Sequence, residues 1–299
     1  MSEREFYARQ SRVTEPGRFA ARVEEVPGSL SAMRRAARQL VFHYRADGPF
    51  AENGIAAERI SEIDTRYAED MLARIFELSD QPLTTDRKPC DRLVGCCRDF
   101  TVLFLAIARA HGMPARARVG FAAYFDPGWY GDHVVAEVWD EQQQRWRLVD
   151  AELADDYADP ATGAPLDVED LTRSQFLTGA AAWLACREGS ADPARFYASP
   201  DLDIPMTRGL WYVRHNLIHD LAAVTGREMV PWDNWGWSGL EELSRAQLAV
   251  LDDLAAAMSR DAPLAELMSF YERDGLRVPA EITSYSAASE VPLQVFARR

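Results

Sequence analysis

The spacing of apolar residues predicts three helices in the first part of the chain. Residues 30–44 and 66–79 place apolar side chains at intervals of three and four, which is the period of one helix face. Residues 97–111 are apolar over most of their length and are followed by Gly112, a residue type that favours the left-handed turn after a helix. We predict a helix over each segment and a loop over the polar residues 82–89.

Beyond this point the period changes to that of strands. Residues 116–124, 133–139 and 145–151 alternate along the chain and are rich in valine and aromatic residues. The turn sequence DEQQQ at 140–144 predicts that the second and third strands form an antiparallel hairpin. From about residue 155 the helical period returns. Further helices are predicted near 167–187, 207–225, 244–261 and 263–274.

This order of elements predicts an α+β fold with a helical C-terminal extension. We place the core with its N-terminal helices at 1–155 and the extension at 156–299, packed on the core as one globular unit. The sequence shows no internal repeat, low-complexity tract or flexible linker.

Composition and charge narrow the possible partners and compartments. The 299-residue chain has a net charge of −14, which argues against a nucleic acid or an anionic membrane as its partner. No stretch approaches the ~20 continuous apolar residues of a membrane span. Residues 1–19 are charged throughout and lack the apolar segment of a secretory signal. Four cysteines are too few for a disulfide framework in this chain, so we expect a cytoplasmic protein.

Two of the four cysteines, Cys96 and Cys97, are adjacent at the predicted start of a helix. Neighbouring Cα atoms lie ~3.8 Å apart, which is too close for an ordinary disulfide. A helix N-terminus lowers the pKa of a thiol and favours the nucleophilic thiolate, and Gly95 allows a sharp turn into the helix. The alternative is that both side chains are buried filler, because unreactive cysteine is among the most buried residue types.

A nucleophilic cysteine needs a base, and the base needs a group that orients it. Of the five histidines, only His133 begins a predicted strand, directly after a loop rich in glycine and aromatic residues. Asp150 ends the second strand of the hairpin, and a hairpin centred on 140–144 brings it close to His133. An acid that emerges from an apolar strand is costly to bury without a partner. We therefore predict a pair formed by His133 and Asp150.

These motifs closely resemble those of the transglutaminase-like superfamily. The family's G-x-C-x-D-F motif, with a helix ending R-x-x-G-(I/M)-P-A-R, corresponds to residues 95–116. Its histidine motif, H-a-w-x-E-V, corresponds to 133–138, and its aspartate motif, W-x-x-x-D, corresponds to 146–150. The resemblance covers residues 93–152. It implies a papain-like core in which the nucleophile helix packs on an antiparallel sheet.

The family spacing assigns a role to each residue of a Cys-His-Asp triad. It makes Cys97 the nucleophile, His133 the base and Asp150 the acid that orients the base. Cys96 is then packing or part of a pocket wall. Such an enzyme is expected to need no metal and no organic cofactor.

The same resemblance implies acyl transfer, with the acceptor left open. We expect Cys97 to attack an amide or thioester carbonyl, and the acyl-enzyme to pass its acyl group to an amine or to water. The extension favours a small-molecule or short-peptide substrate over general protein cross-linking. Two other interpretations stay open: a cysteine protease or amidase that acts on peptides, and a non-catalytic binding module that has kept the fold.

Aromatic residues near the motifs are candidates for the wall of a substrate pocket, although such residues more often belong to a core. They are Trp129, Tyr130, Trp232 and Trp235. A second candidate site is formed by His215 and His219, which are four residues apart on a predicted helix. The glutamate of the zinc motif is missing there, so we expect structural contacts and no metal.

Overall fold

The computed structural model describes residues 2–200, 202, 204 and 206–296. Its helices are α1 (Glu3–Tyr7), α2 (Ala20–Glu24), α3 (Leu30–Leu40), α4 (Ala68–Leu78), α5 (Cys97–Ala110), α6 (Gly179–Glu188), α7 (Gly209–Val224), α8 (Arg245–Ser259) and α9 (Leu264–Tyr271). Its strands are β1 (Val41–His43), β2 (Leu93–Gly95), β3 (Ala115–Ala122), β4 (Tyr130–Asp140), β5 (Arg145–Val149), β6 (Phe176–Thr178), β7 (Phe196–Tyr197), β8 (Asp233–Asn234), β9 (Glu281–Ser284) and β10 (Leu293–Phe296).

The main sheet has the strand order β5-β4-β3-β6, with neighbours antiparallel, and β7 adds to β4 in parallel. The predicted hairpin is confirmed, because β4 and β5 pair from Asp140 opposite Arg145 to Ala136 opposite Val149. This register places the end of β5 beside Ala136, three residues after His133. The sheet therefore places the histidine motif of β4 next to the aspartate motif at the end of β5.

Helix α5 is buried along nearly its whole length, from Cys97 to Arg109. Its start is capped by Asp99, whose Oδ2 accepts the backbone N–H of Cys96 at 2.9 Å. Its end is marked by Gly112 in the left-handed region, at φ +71°. Apolar side chains of α3, α4 and the sheet pack around it in one cluster.

Two predicted helices have different boundaries from those that the spacing of apolar residues indicated. The first stops at Leu40, because Val41 and the residues after it pair in parallel with β2 as strand β1. The second, predicted near 167–187, begins only at Gly179. The residues before it instead form a loop and then β6, which pairs with β3.

The second half of the chain joins the main sheet directly. At Gly120 the sheet leaves no room for a side chain, since an added Cβ would lie 2.1 Å from the carbonyl oxygen of Leu177 in β6. On the other side, Asp220 of α7 accepts both the guanidinium of Arg118, at 2.8 and 2.9 Å, and the N–H of Val119. A buried charge pair is tolerated only with such extra hydrogen bonds. None of the helices in the described part of the chain has the length and apolar character needed to cross a membrane.

Candidate active site

His133 and Asp150 are in direct contact, as the hairpin register predicted. Nε2 of His133 lies 2.8 Å from Oδ2 of Asp150, and the two residues are only 1% and 0% exposed. The other oxygen of Asp150 accepts the backbone N–H groups of Glu152 at 2.9 Å and Leu153 at 3.1 Å. Because the carboxylate holds the proton of Nε2, the basic nitrogen of the imidazole is Nδ1.

Tyr124, which the sequence motifs did not identify, is a third member of this hydrogen-bonded group. The hydroxyl of Tyr124 donates a 2.8 Å hydrogen bond to the same Asp150 oxygen that contacts His133. The rings of Phe125 and Phe176 meet the imidazole edge to face, with centroids 5.0 and 6.4 Å away. The imidazole is thus held by one carboxylate inside an aromatic enclosure.

Charges within this enclosure set the protonation of the pair. Burial opposes the charged form of His133, but the neighbouring carboxylates, Asp150 foremost, outweigh it and raise the pKa of the imidazole. Burial likewise opposes ionisation of Asp150, yet His133 and the hydroxyl of Tyr124 lower the pKa of its carboxyl. The pair therefore favours an ionised Asp150 beside an imidazole that readily accepts a proton.

Cys97 is the first residue of α5 and is 7% exposed. One turn later, the hydroxyl of Thr101 donates a 2.9 Å hydrogen bond to the carbonyl of Val134, the residue after His133. This contact aligns the start of α5 with the part of β4 that carries His133. Among the described residues, no hydrogen bond links the Cys97 thiol to His133.

The expectation that the helix N-terminus lowers the pKa of Cys97 is wrong for this arrangement. The adjacent Cys96 side chain, burial of the thiol, and the carboxylates of Asp132 and Glu152 together raise its pKa well above that of an ordinary thiol. Each of these disfavours a negative charge on sulfur, which is the opposite of the effect expected from the helix N-terminus. The resting site therefore holds Cys97 as a neutral thiol.

Asp132, one residue before His133, is a second buried acid that the sequence analysis missed. Its two oxygens accept a 2.8 Å hydrogen bond from the hydroxyl of Tyr212 and a 2.7 Å hydrogen bond from the amide of Asn216. Burial raises the pKa of this carboxyl to about 6. Both donors belong to α7, so the second half of the chain contributes to the surroundings of the base.

Strand β1 brings two further side chains to the start of α5. His43 pairs with Gly95, two residues before Cys97, and the N–H of Tyr44 donates to the Gly95 carbonyl at 3.0 Å. Burial raises the pKa of Tyr44 to about 12, and the two cysteines act in the same direction. Burial and the nearby His133 lower the pKa of His43 to about 3, so its ring is neutral.

Comparison with known proteins bears on the same segment. Residues 73–151 match the family model described as the transglutaminase-like superfamily, and they include Cys97, His133 and Asp150. The chain carries a transglutaminase-like core. The predicted family and the α+β, papain-like fold class are confirmed.

One similar solved structure is a "Putative Cysteine Protease from Cytophaga hutchinsonii", at 17% identity and a TM-score of 0.34. The alignment covers 54% of this chain and 44% of that chain, which is less than half of its length. A search of curated proteins finds no match.

The residues predicted to line a substrate pocket lie in different parts of the structure. Cys96 is buried next to Cys97 at the start of α5. Trp232 packs edge to face on Tyr44, with centroids 6.3 Å apart, against the apolar cluster that includes Val94 of β2. Its indole donates a 3.0 Å hydrogen bond to Asp64.

The remaining candidates contact other parts of the chain. Trp129 is 37% exposed and packs against Tyr197, and Tyr130 stacks on Phe196 with centroids 4.5 Å apart. Trp235 is buried among apolar side chains of α6, α7 and α8, where its indole donates a 3.1 Å hydrogen bond to the carbonyl of residue 276.

His215 and His219 make the structural contacts that were expected. Nε2 of His215 lies 2.8 Å from the carbonyl oxygen of Pro231, and Nε2 of His219 lies 2.8 Å from that of Asp233. Burial lowers the pKa of both rings, so they are neutral donors. They fasten the segment from Pro231 to Asp233 to α7.

Proposed function

We propose that this chain is a cysteine-dependent acyl-transfer enzyme in which Cys97, His133 and Asp150 act as nucleophile, base and orienting acid. The observation that supports this most is the buried contact of His133 with Asp150 at 2.8 Å, in the segment that matches the family model. A carboxylate at Nε2 leaves Nδ1 as the nitrogen that accepts the thiol proton.

The first half of the reaction forms a thioester. His133 takes the proton of Cys97 as sulfur attacks an amide or thioester carbonyl, and the leaving group then receives that proton. Transfer during attack agrees with the raised pKa of Cys97, since the thiolate is formed only as it reacts. The acyl group afterwards passes to an amine or to water on a small-molecule or short-peptide substrate.

The oxyanion formed in each step needs preorganised donors. The backbone N–H of Cys97 at the helix start is one. We assign the second to His43, whose Nδ1 accepts the N–H groups of Arg45 at 3.2 Å and Ala46 at 3.0 Å. These bonds fix the ring proton on Nε2, and a neutral imidazole keeps it there. Among the described residues, this N–H has no hydrogen-bond acceptor in the resting site.

The test uses p-nitrophenyl acetate as a simple acyl donor. The wild type is expected to release one equivalent of p-nitrophenol rapidly and to carry an acetyl group on Cys97, as located by peptide mapping. Cys97→Ala should lose the burst with little change in thermal stability, whereas Cys96→Ala should keep most of it. An acetyl group on Cys96, or no covalent adduct on either cysteine, contradicts the proposal.

A further inference from the structure

A cavity of about 700 Å³ lies where the N-terminal segment, the residues after α7 and the C-terminal strands meet. It is lined by residues from the ranges 6–13, 225–229 and 271–282, and by Val295 of β10. Its volume is within the range of small-molecule sites, roughly 300–1,000 Å³. None of the described residues that line it belongs to the proposed triad or to the proposed oxyanion donors. The cavity is therefore a second candidate site.

Arginine is concentrated in this cavity, although the chain as a whole has a net charge of −14. Seven arginines line it, against two acids. A concave surface lined by one sign of charge attracts ligands of the opposite sign. The lining therefore favours an anion, provided that the arginines are not already neutralised by acids elsewhere in the chain.

Four of these arginines have a carboxylate partner within salt-bridge distance. The pairs are Arg66 with Asp233, Arg98 with Asp99, Arg109 with Glu228, and Arg277 with Glu272. Both acids of the lining are thus paired already. The positive charge that remains unbalanced belongs to the other three arginines.

Arg9, Arg12 and Arg227 have no acid partner among the residues that the structure describes. Arg227 donates a 2.6 Å hydrogen bond to the carbonyl of Thr225, and its guanidinium lies 4.5 Å from the ring centroid of Tyr271. The remaining N–H donors of this planar group can bind a carboxylate, sulfonate or phosphate through two parallel hydrogen bonds. Arg9 and Arg12 are exposed on the N-terminal segment and add positive charge to the same cavity.

The wall that carries Arg227 is held by a buried network around its neighbour Glu228. The carbonyl of Glu228 accepts two hydrogen bonds from the guanidinium of Arg98, at 2.6 and 3.0 Å. The carboxylate of Glu228 accepts the hydroxyl of Ser11 at 2.8 Å and the guanidinium of Arg109 at 3.2 Å. Because Ser11 belongs to the N-terminal segment, this network joins two walls of the cavity. The site is therefore preformed, which lowers the entropy cost of binding.

Apolar side chains contribute to the same lining. They are Phe6, Val13, Met229, Val278, Ile282 and Val295. Of these, Phe6, Met229 and Val278 are only partly buried by the chain itself. A ligand with an apolar part gains free energy by covering such surface. The cavity thus combines unpaired cations with apolar walls.

We propose that this cavity binds a soluble small molecule in which an anionic group is joined to an apolar body. The anionic group, a carboxylate, sulfonate or phosphate, is bound by Arg9, Arg12 and Arg227, and the apolar body lies against Met229 and Val278. A lipid headgroup has similar chemistry, but the concave site and the net charge of −14 disfavour an anionic bilayer. The inference does not rest on the proposed acyl-transfer function.

The experiment compares two fluorescent probes that have the same rings. Anilinonaphthalene sulfonate is anionic, and phenylnaphthylamine is its neutral counterpart without the sulfonate. Both become brighter when they pass from water to an apolar site. Titration of the full chain at neutral pH gives the Kd of each probe, and we expect a single saturable site for the sulfonate.

Arg227→Gln is expected to raise the Kd of the sulfonate at least about tenfold and to keep that of the neutral probe within about twofold, because only the anion loses a partner. The double change Arg9→Gln with Arg12→Gln, at exposed positions where the fold is not at risk, should raise the sulfonate Kd at least about fivefold. The matched control is Arg245→Gln, an exposed arginine that begins α8 outside the cavity. It removes the same charge and should behave as wild type.

Several results would overturn the inference. The wild type binding no sulfonate at a saturable site is one. Equal losses of both probes in Arg227→Gln indicate a general apolar surface, and a loss in Arg245→Gln as large as in Arg227→Gln indicates general attraction of anions. Sedimentation with phosphatidylglycerol vesicles but not with phosphatidylcholine vesicles, abolished by the double change, would assign the arginines to a bilayer. None of these results bears on whether Cys97 is acylated.

Discussion

Asn216, on α7, donates a 2.7 Å hydrogen bond to the carboxylate of Asp132, the residue that precedes His133. The same amide donates to the carbonyl of Gly120 on β3 at 3.1 Å. One side chain from the second half of the chain thus fastens two neighbouring strands of the main sheet. The position of the proposed base depends on a residue eighty-three positions later, as well as on the hairpin itself.

Replacing Asn216 with alanine should therefore destabilise the fold. The change leaves a buried carboxyl oxygen of Asp132 and a buried carbonyl without their donor, at a cost of about 1–3 kcal/mol in the free energy of unfolding. Urea unfolding of wild type and Asn216→Ala measures this cost. A change below about 0.5 kcal/mol would mean that water replaces the amide and that α7 does not hold the sheet.

Asp150→Asn should keep the fold but greatly reduce acylation. An amide can donate to Nε2 of His133, which places the ring proton on Nδ1 and removes the base. In serine proteases the equivalent change costs ~10⁴ in turnover. The burst rate with p-nitrophenyl acetate measures the effect, and circular dichroism checks the fold. A decrease of less than about tenfold would show that Asp150 does not set the tautomer.

His43→Ala should slow acylation by about 10²–10³-fold, because it removes one of the two proposed oxyanion donors. The matched control is His111→Ala, at the far end of α5, which should leave the burst rate unchanged. The rate of the p-nitrophenol burst is again the measurement. A burst rate for His43→Ala within about threefold of wild type excludes this histidine from the oxyanion site.

Iodoacetamide should label Cys97 slowly at neutral pH and faster as the pH rises, because its pKa is raised and only the thiolate reacts. Glu152→Gln removes one of the carboxylates that raise this pKa and should shift the profile to lower pH. Peptide mapping after brief labelling, with the half-buried Cys90 as internal reference, gives the rates. Labelling of Cys97 at pH 6 that exceeds labelling of Cys90 would show a thiolate already present at rest.

Glu152 should also make stability depend on pH. Its pKa is about 8 in the folded chain against an ordinary value of 4.5, so the folded chain retains a proton that the unfolded chain releases. The free energy of unfolding then falls as pH rises from about 4.5 to about 8, by about 1.4 kcal/mol per pH unit, and is level above this window.

Glu152→Gln carries no such proton and should gain stability relative to wild type across the same window. His133, Asp150, Asp47 and Arg38, which act on Glu152, are present in both proteins, so the difference between them reports mainly on this carboxyl. Urea unfolding at one-unit steps from pH 5 to pH 9 supplies the comparison. A difference that stays constant with pH would place the pKa of Glu152 near its ordinary value.

The sequence predicted the parts of this site that depend on neighbours along the chain. The period of apolar residues located α5, and the alternation on both sides of 140–144 gave the strand pairing that joins His133 to Asp150. The division at residue 155 stays a prediction. A catalytic role for Cys97 likewise stays a prediction, because geometry alone does not test it.

The groups that surround the pair could not be predicted in the same way. Tyr124, Asp132 and Glu152 lie within two residues of recognised strands or motifs, but their contacts depend on how the sheet curves and on which way each side chain turns. Tyr212 belongs to α7, a helix buried on all sides, where no apolar stripe shows which residues meet the core. Long-range placement of this kind leaves no local pattern.

The pairing of Arg118 with Asp220 bears on how this chain is made. These residues are 102 positions apart, so β3 leaves the ribosome long before its buried arginine meets Asp220, one of its two acidic partners. The edge of β3 that pairs with β6 in the folded protein has no partner until β6 has been synthesised. A nascent chain that has all three motifs but has not yet produced α7 has Glu137 beside Arg118 but lacks Asp220, the second acid of this buried arginine, and β3 has an open edge. Both features favour delay and capture by chaperones over folding. Completion of the site is therefore expected late in synthesis, after the motifs that define it have been translated.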